Sequence, residues 1–415
     1  MISERTKSIL LFTSYFAKSS DKSIKPLTNT EWNRLVRWLQ SKSISPEDFL
    51  SQDNASLLLG WQDKTITSER IDSLLERKSA LAIALDKWTK AGIWIINRGD
   101  KQYPRRLKER LKDNAPPILF GIGNADLLNK QYIGIVGARK TTDNELFETK
   151  KIGKKITSEN FGIVSGGAKG VDESAMLGAL EANGNCIGFV SDSLIRKSTT
   201  STFRKYIINK RLVLLSPFNP EASFNVGNAM TRNKLIYTQS EATIVVKSDT
   251  KGGTWEGAKE NLKKQWVPLW VIYNKEVGNN ELIKLGANKL LPENEYKIEE
   301  LVKVKIIQVS EPNLFSSNNS LANNIAQEKK VIKKEGDIIE VKLNDATLFD
   351  YFIFKLYSII TDKPLTKKDI KDKLSITNSQ LDEWLKMACA KEFIIKNNRP
   401  VTFILNKEKK IRITS

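Results

Sequence analysis

Two hydrophobic periods divide the chain. Over residues 1–96 apolar positions recur three and four apart, in segments such as EWNRLVRWLQ (31–40) and SERIDSLLERKSALAIALDKW (68–88), with short polar turns between them. That spacing predicts a small all-α module. An irregular stretch follows from Gly99 to Gly123, with an extended YPRRL (103–107) and the pair Pro116-Pro117 before ILFGIG. From Tyr132 to Tyr273 the period shortens. Uninterrupted apolar runs (YIGIV, FGIV, NCIGFV, RLVLL, ATIVV and WVPLWVIY) alternate with helical segments near 144–160, 171–183, 226–240 and 254–265. Apolar strands without polar alternation, joined by helices, predict a parallel sheet covered on both faces, an α/β doubly wound, Rossmann-like core over 97–305. The polar run SSNNSLANNIAQEKKVIKKEG (316–336) cannot build a core and reads as a linker over 306–340. Residues 341–415 predict a winged-helix domain. Its signs are an apolar helix (346–360), a helix after Thr366, a third helix with the capping box Thr377…Gln380, and the hairpin FIIK-NNRP-VTFIL (393–405).

Composition narrows the chemistry. A chain of 415 residues exceeds one ordinary core. The formal net charge of +19 points to polyanionic partners, nucleic acid above all, against the plainer reading of a lysine-rich solvated surface. Histidine is absent, which excludes Ser-His-Asp hydrolysis, Cys-His proteolysis and HExxH metal sites together. Cys186 and Cys389 are too few for a zinc cluster and too far apart for a redox CxxC, as expected in a reducing cytoplasm. ILLFTSYFA (9–17) is followed by Lys18-Ser-Ser-Asp-Lys without a cleavage site, so it reads as a packed amphipathic helix. The run 266–273 is too short to span a bilayer, and a soluble cytoplasmic protein without a membrane role is expected.

In a parallel sheet, ligands bind beyond the carboxyl ends of the strands. Those ends carry Gly137-Ala-Arg139-Lys140, Ser165-Gly166-Gly167-Ala-Lys169-Gly170 and Lys251-Gly252-Gly253-Thr254, with Thr231-Arg232-Asn233-Lys234 in the loops before ATIVV. One glycine-rich turn is weak evidence, because glycine is the default wherever backbone turns sharply. Several cation-bearing turns on one edge indicate an anion-binding cleft. No GxGxxG is present, Ser165 standing where the first glycine would be, and no Walker loop. Lysines and arginines at several ends suit a chain of phosphates, although Asp192 lies where it could meet a ribose. Asp172 and Glu256 read as carboxylates favoured by helix N-termini. Arg105 and Arg106 could contact phosphate or form a solvated helix face. Trp255, Trp266 and Trp270 could stack bases, the last two reading better as core. The third helix of the expected winged helix carries Asp382 and Glu383 beside Lys386, which favours protein contact or autoregulation over DNA reading despite the basic tail 407–412.

The ordered run of YIGIVGARKTT, GIVSGGAKGVDESAMLGAL, LVLLSPFNP, TRNKLI and TIVVK with GGTWEGAKE, preceded by GDKQYPRRLKERLKDNAPPILFGIGN, resembles the DNA-processing protein A family (DprA, also called Smf). The resemblance spans Gly99 to Tyr273. More loosely, the N-terminal helices are similar to the SAM-like module of that family and the C-terminal segment to its winged helix. It implies a single-stranded DNA binder without catalysis or cofactor, commonly a homodimer, that hands DNA to a RecA-type recombinase in natural transformation. Carried over by motif, the DNA contacts are Arg139, Lys169, Arg232 and Lys234, with close backbone approach at Gly137, Gly166, Gly167 and Gly170. The chain departs from the family at Met176, where histidine is usual, at Lys234 in place of a second arginine, and at SDSLIRKSTTSTFRK (191–205). A divergent relative beside a toxin or a phage-defence partner is the alternative. GGTWEG is similar, in shortened form, to the GGxTxxE loop of a wider nucleotide-binding superfamily, so this alternative includes a nucleotide-sensing or antitoxin-like module.

Overall fold

The six apolar runs of the middle segment become neighbouring strands of one sheet because neither face meets water. In the computed structural model the strands are β1 (Trp94–Asn97), β2 (Ile118–Gly123), β3 (Tyr132–Val136), β4 (Gly162–Ser165), β5 (Cys186–Phe189), β6 (Leu212–Ser216), β7 (Ala242–Val245), β8 (Leu269–Ile272) and β9 (Asn288–Leu290). Described are residues 2–16, 25–291, 295–304, 337–342, 348–360, 364–374, 378–390, 393–398, 401–406 and 409–414. The sheet has the order β1-β2-β6-β5-β4-β3-β7-β8-β9, parallel from β6 to β9, with β1 and β2 antiparallel at one edge. Alternate residues serve opposite layers. Ile133, Ile135, Ile163, Leu212, Leu214 and Ile244 pack in one core. Val136, Val164, Ile187, Val213, Leu215, Val245 and Val271 pack in the other. This is the mixed α/β core expected from the pattern.

β1 falls in the stretch that periodicity reads as helical, and β2 in the one read as irregular. Both are short edge strands defined by pairing, and Gly121 passes so close over Trp94 that a Cβ there would lie 2.2 Å from the indole. YPRRL is not extended: Pro104 precedes the helix Arg105–Leu111, in which Leu107 and Leu111, one turn apart, are both buried. Proline needs no N–H partner at a helix start, which is why the turn begins there.

The N-terminal helices, including Glu4–Thr13, Asn29–Ser41, Ser68–Leu75 and Lys78–Lys90, share the first core with the sheet. Trp88 meets Phe120 of β2 edge-on, with centroids 5.2 Å apart. Residues Met1–Asn313 form one compact unit and Leu314–Ser415 a second. No helix among the described residues is long and apolar enough to cross a membrane.

In the second unit the helices Leu348–Ile359, Lys367–Leu374 and Asn378–Ala390 bury Phe352, Ile353, Leu356, Ile370, Leu381 and Leu385 together. Ile394–Asn398 and Val401–Leu405 pair antiparallel, and Asp337–Lys342 pairs parallel with Lys409–Thr414. The expected linker up to residue 336, Thr377 of the expected capping box, Arg399 and Pro400 of the hairpin, and Lys407 and Glu408 of the basic tail lie outside the described residues.

Thr28 and Glu31 form a capping box at the start of Asn29–Ser41, and Arg70 reaches across to the same carboxylate at 2.7 Å. Burial alone would raise the Glu31 pKa, but hydrogen bonds from Arg70 and Thr28 hold it at about 2. A depressed carboxylate stabilises the fold fully above its ordinary pKa, and that contribution fades as pH falls towards the folded value. Glu31→Gln is therefore expected to lower the urea midpoint at neutral pH and to flatten the loss of stability between about pH 4.5 and 2. An unchanged acid limb would disprove the assignment.

Candidate nucleic-acid interface

β3 and β7 are neighbours whose connections leave in opposite directions, and a crevice opens beyond their carboxyl ends for that reason. Ala138 N–H donates to Lys247 O at 2.9 Å, holding the two exits together. Gly137 to Lys140 form one wall of the cleft, Ser248, Asp249, Lys251, Gly253 and Thr254 a second, and the helix Val226–Gln239 a third. The volume enclosed is about 370 Å³. Asn233 Nδ2 donates to Gly253 O at 3.0 Å and ties the second wall to the third.

The floor holds a buried ion pair. Arg232 is 4% and Asp172 7% exposed, with Nη1 and Oδ2 3.9 Å apart. Burial pushes the Asp172 carboxyl up, opposed by the Arg232 charge and by the N–H groups of Gly166, Ala168 and Gly137. Burial likewise lowers Arg232, opposed by Asp172, yet a guanidinium keeps its proton in proteins. SGGAKGVD is thereby explained: a Cβ on Gly166 would lie 1.7 Å from Arg232 Nη1 and 2.5 Å from Asp172 Oδ2, so only glycine leaves room for the pair. Gly170, at φ +95°, passes the carbonyls of Ala138 and Arg139 where a Cβ would come within 2.8 Å of both. The anion facing this turn is the protein's own Asp172, beyond the helix-terminus role expected of it.

Of the expected residues, the cleft brings together Gly137, Arg139, Lys140, Arg232, Asn233, Lys251, Gly253 and Thr254. Ser165 lies in the core, its hydroxyl donating to Ile135 O at 2.6 Å. Gly166 and Gly167 are buried, Lys169 and Gly252 are exposed, and Gly170 is half-buried; none of these five lines the cleft. Thr231–Lys234 belong to a helix and not to a loop, and its 100° per residue separates them. Arg232, Asn233, Ile236 and Tyr237 face the cleft, whereas Thr231, Lys234 and Leu235 face a second groove of about 1180 Å³ shared with Tyr15, Ile83 and Phe218. Asp192 follows β5, two strands from β7, away from the Lys251–Thr254 turn it would have to join around a nucleotide.

Arg139, Lys140, Lys169 and Lys251 form no ion pair among the described residues, while nearby Lys247 is held by Glu145 and Glu276 at 2.7 and 3.1 Å. Sequence reasoning missed Phe224, Val226, Met230, Tyr237 and Asp249 in the lining. Phe224 is 48% exposed with the Arg139 guanidinium 5.3 Å from its ring centroid, a cation–π arrangement. Its signal was an aromatic in SFNVGNAM, a segment before the helix that no apolar period explains. Arg106 and Arg110 of the lead-in are structural: Arg106 donates to Lys130 O at 2.8 Å and bonds Glu241, and Arg110 donates to Thr238 O at 2.9 Å. Trp270 donates to Leu301 O at 3.0 Å, and Trp255 and Trp266 pack against the second core.

A doubly wound sheet with unpaired cations at its switch point defines an anion-binding Rossmann-like protein. The family model described as DNA recombination-mediator protein A matches residues 94–302, and the chain belongs to that family. Protein Smf of Synechocystis is 26% identical over 292 residues, covering 65% of this chain and 72% of its own length. The DNA processing protein DprA of Bacillus subtilis is 29% identical over 235 residues, 55% of this chain and 77% of its own. The X-ray structure of DNA processing protein A from Streptococcus pneumoniae superposes with a TM-score of 0.55 at 18% identity, over 70% of this chain and 95% of that one, a likeness of fold.

Removing one member of a buried ion pair leaves an uncompensated charge, at about 3–5 kcal/mol. Arg232→Met should cost about that much in urea unfolding, and Asp172→Asn in the same background should restore part of it. Strictly additive losses would show that the two side chains are not coupled.

Proposed function

We propose that the chain is a single-stranded DNA-binding recombination mediator that acts without catalysis, as a homodimer, and delivers the strand to a RecA-type recombinase. The observation that carries the reading is the row of unpaired cations, Arg139, Lys140 and Lys251, around a strand-end cleft with an exposed aromatic at its mouth. Single-strand binders combine a basic track for phosphates with aromatic faces for bases and need no sequence code. Lys169, exposed one turn away, extends the track, and the backbone of Gly137, Gly252, Gly253 and Thr254 approaches it closely. Family membership supports a role in DNA processing and recombination. The C-terminal unit, read as a winged helix, serves protein contact in this scheme. Its helix Asn378–Ala390 exposes Asp382 and Glu383, and Asp382 is paired with Lys367 at 2.5 Å, an acidic face that phosphates would avoid.

Fluorescence anisotropy of a labelled single strand and a duplex of equal length, across a salt series, tests the reading. Tighter, salt-dependent binding of the single strand is expected. Arg139→Gln and Lys251→Gln should each reduce the slope of log K against log salt by about 0.7 per lost phosphate contact. Lys284→Gln, which removes a surface charge paired with Glu281, should leave the slope unchanged. Equal slopes for all three variants would refute the groove assignment.

A further inference from the structure

The phosphate track does not account for the floor of the cleft. The backs of strand-tracking grooves need only exclude water, yet this floor is apolar and carries a buried donor without an acceptor. Val136, Ile236 and Ala229 line it, with Phe224 and Met230 at the side. Arg232 Nε is buried and has no hydrogen-bond partner, although the Nη1 side of the same guanidinium faces Asp172. Because the guanidinium keeps its protons, Nε–H is always a donor, and buried donors in folded proteins are almost always satisfied. The Tyr237 hydroxyl also borders the cleft, and burial pushes its pKa up, so it stays a neutral O–H. At the rim stand the free cations Arg139, Lys140 and Lys251 and the N-terminus of the helix Gly253–Lys264, whose preceding Gly252 offers no side-chain cap. Asp249 is exposed at the same rim.

An apolar slot with an aromatic wall, one buried unfilled donor and a cationic mouth matches the parts of a nucleotide. We infer that the cleft is a subsite for one nucleotide unit. The base enters against Phe224 and Met230 and presents an acceptor to Arg232 Nε–H, and the phosphate stays at the rim with Arg139, Lys140 and Lys251. Asp249 accepts from a base N–H or a sugar hydroxyl. The volume, about 370 Å³, lies at the small end of ligand pockets, as one inserted unit requires. This inference rests on the cleft being the binding site proposed above, but it assigns a different part of it: one base leaves the strand at this point, while its neighbours are held by phosphate alone. The same unit can come from a strand or from a free nucleotide, and the test separates the two sources.

The full chain is titrated with a homothymidine oligonucleotide, with an abasic strand of the same number of phosphates, and with thymidine monophosphate. Wild type, Arg232→Lys and Phe224→Ala are compared. Arg232→Lys keeps a cation beside Asp172 while deleting Nε–H, and Phe224→Ala alters an exposed side chain, so it remains informative if the first variant fails to fold. The thymidine strand should bind about tenfold or more tightly than the abasic one, in line with the usual worth of base–aromatic contact. Both variants should shrink that gap while leaving the salt slope on the abasic strand unchanged. Equal binding of the two strands with a steep salt slope would overturn the subsite and leave the strand-binding function standing. Salt-dependent strand binding absent altogether, with thermal stabilisation by thymidine monophosphate that Phe224→Ala removes, would uphold the subsite and reject the strand-binding reading. No response to any of the three probes would reject both.

Discussion

The buried pair of Arg232 and Asp172 governs how the strand ends are built. Two charges taken out of water at one point must be compensated locally. The sheet supplies this by closing the turns after β3 and β4 around the carboxylate, so that the N–H groups of Gly137, Gly166 and Ala168 favour its charged form. The pair also links three elements, the turn of Gly166, the helix that starts at Val171 and the helix Val226–Gln239. With the anion-facing N–H groups satisfied from within, an external anion must be held elsewhere. That role falls to the outer cations and to the uncapped helix after Gly252.

This division separates structural from available charge. Arg106, Arg110, Lys247 and Arg232 are each held by carbonyls or carboxylates, and together they fix the lead-in helix, the exit of β7 and the cleft floor. Arg139, Lys140, Lys169 and Lys251 are left to solvent. A net charge of +19 is therefore a poor guide by itself, since positive residues a few positions apart do opposite things.

The parallel strands were legible because a strand buried on both faces must be apolar throughout, and the helices after them because their caps and periods are local. β1, β2 and β9 escaped notice: edge strands of three to six residues are fixed by partners distant in sequence. The glycine turns were found for a partly mistaken reason. Their spacing signals a tight approach, but sequence cannot say whether the approaching anion is foreign or, as here, Asp172. Thr231 to Lys234 illustrate a related limit: four consecutive polar residues look like one site, and a helix sends Arg232 and Lys234 to different grooves. Phe224 was invisible because a single exposed aromatic between elements has no period to betray it.

Photo-crosslinking a single strand that carries 5-iododeoxyuridine, followed by mass spectrometry of the adducts, tests the central claim most directly. The account predicts adducts within the cleft lining, at Phe224, Met230 or Tyr237, lost when excess unlabelled single strand is added. Adducts confined to the residues after 314, or spread over surface lysines remote from β3 and β7, would contradict it.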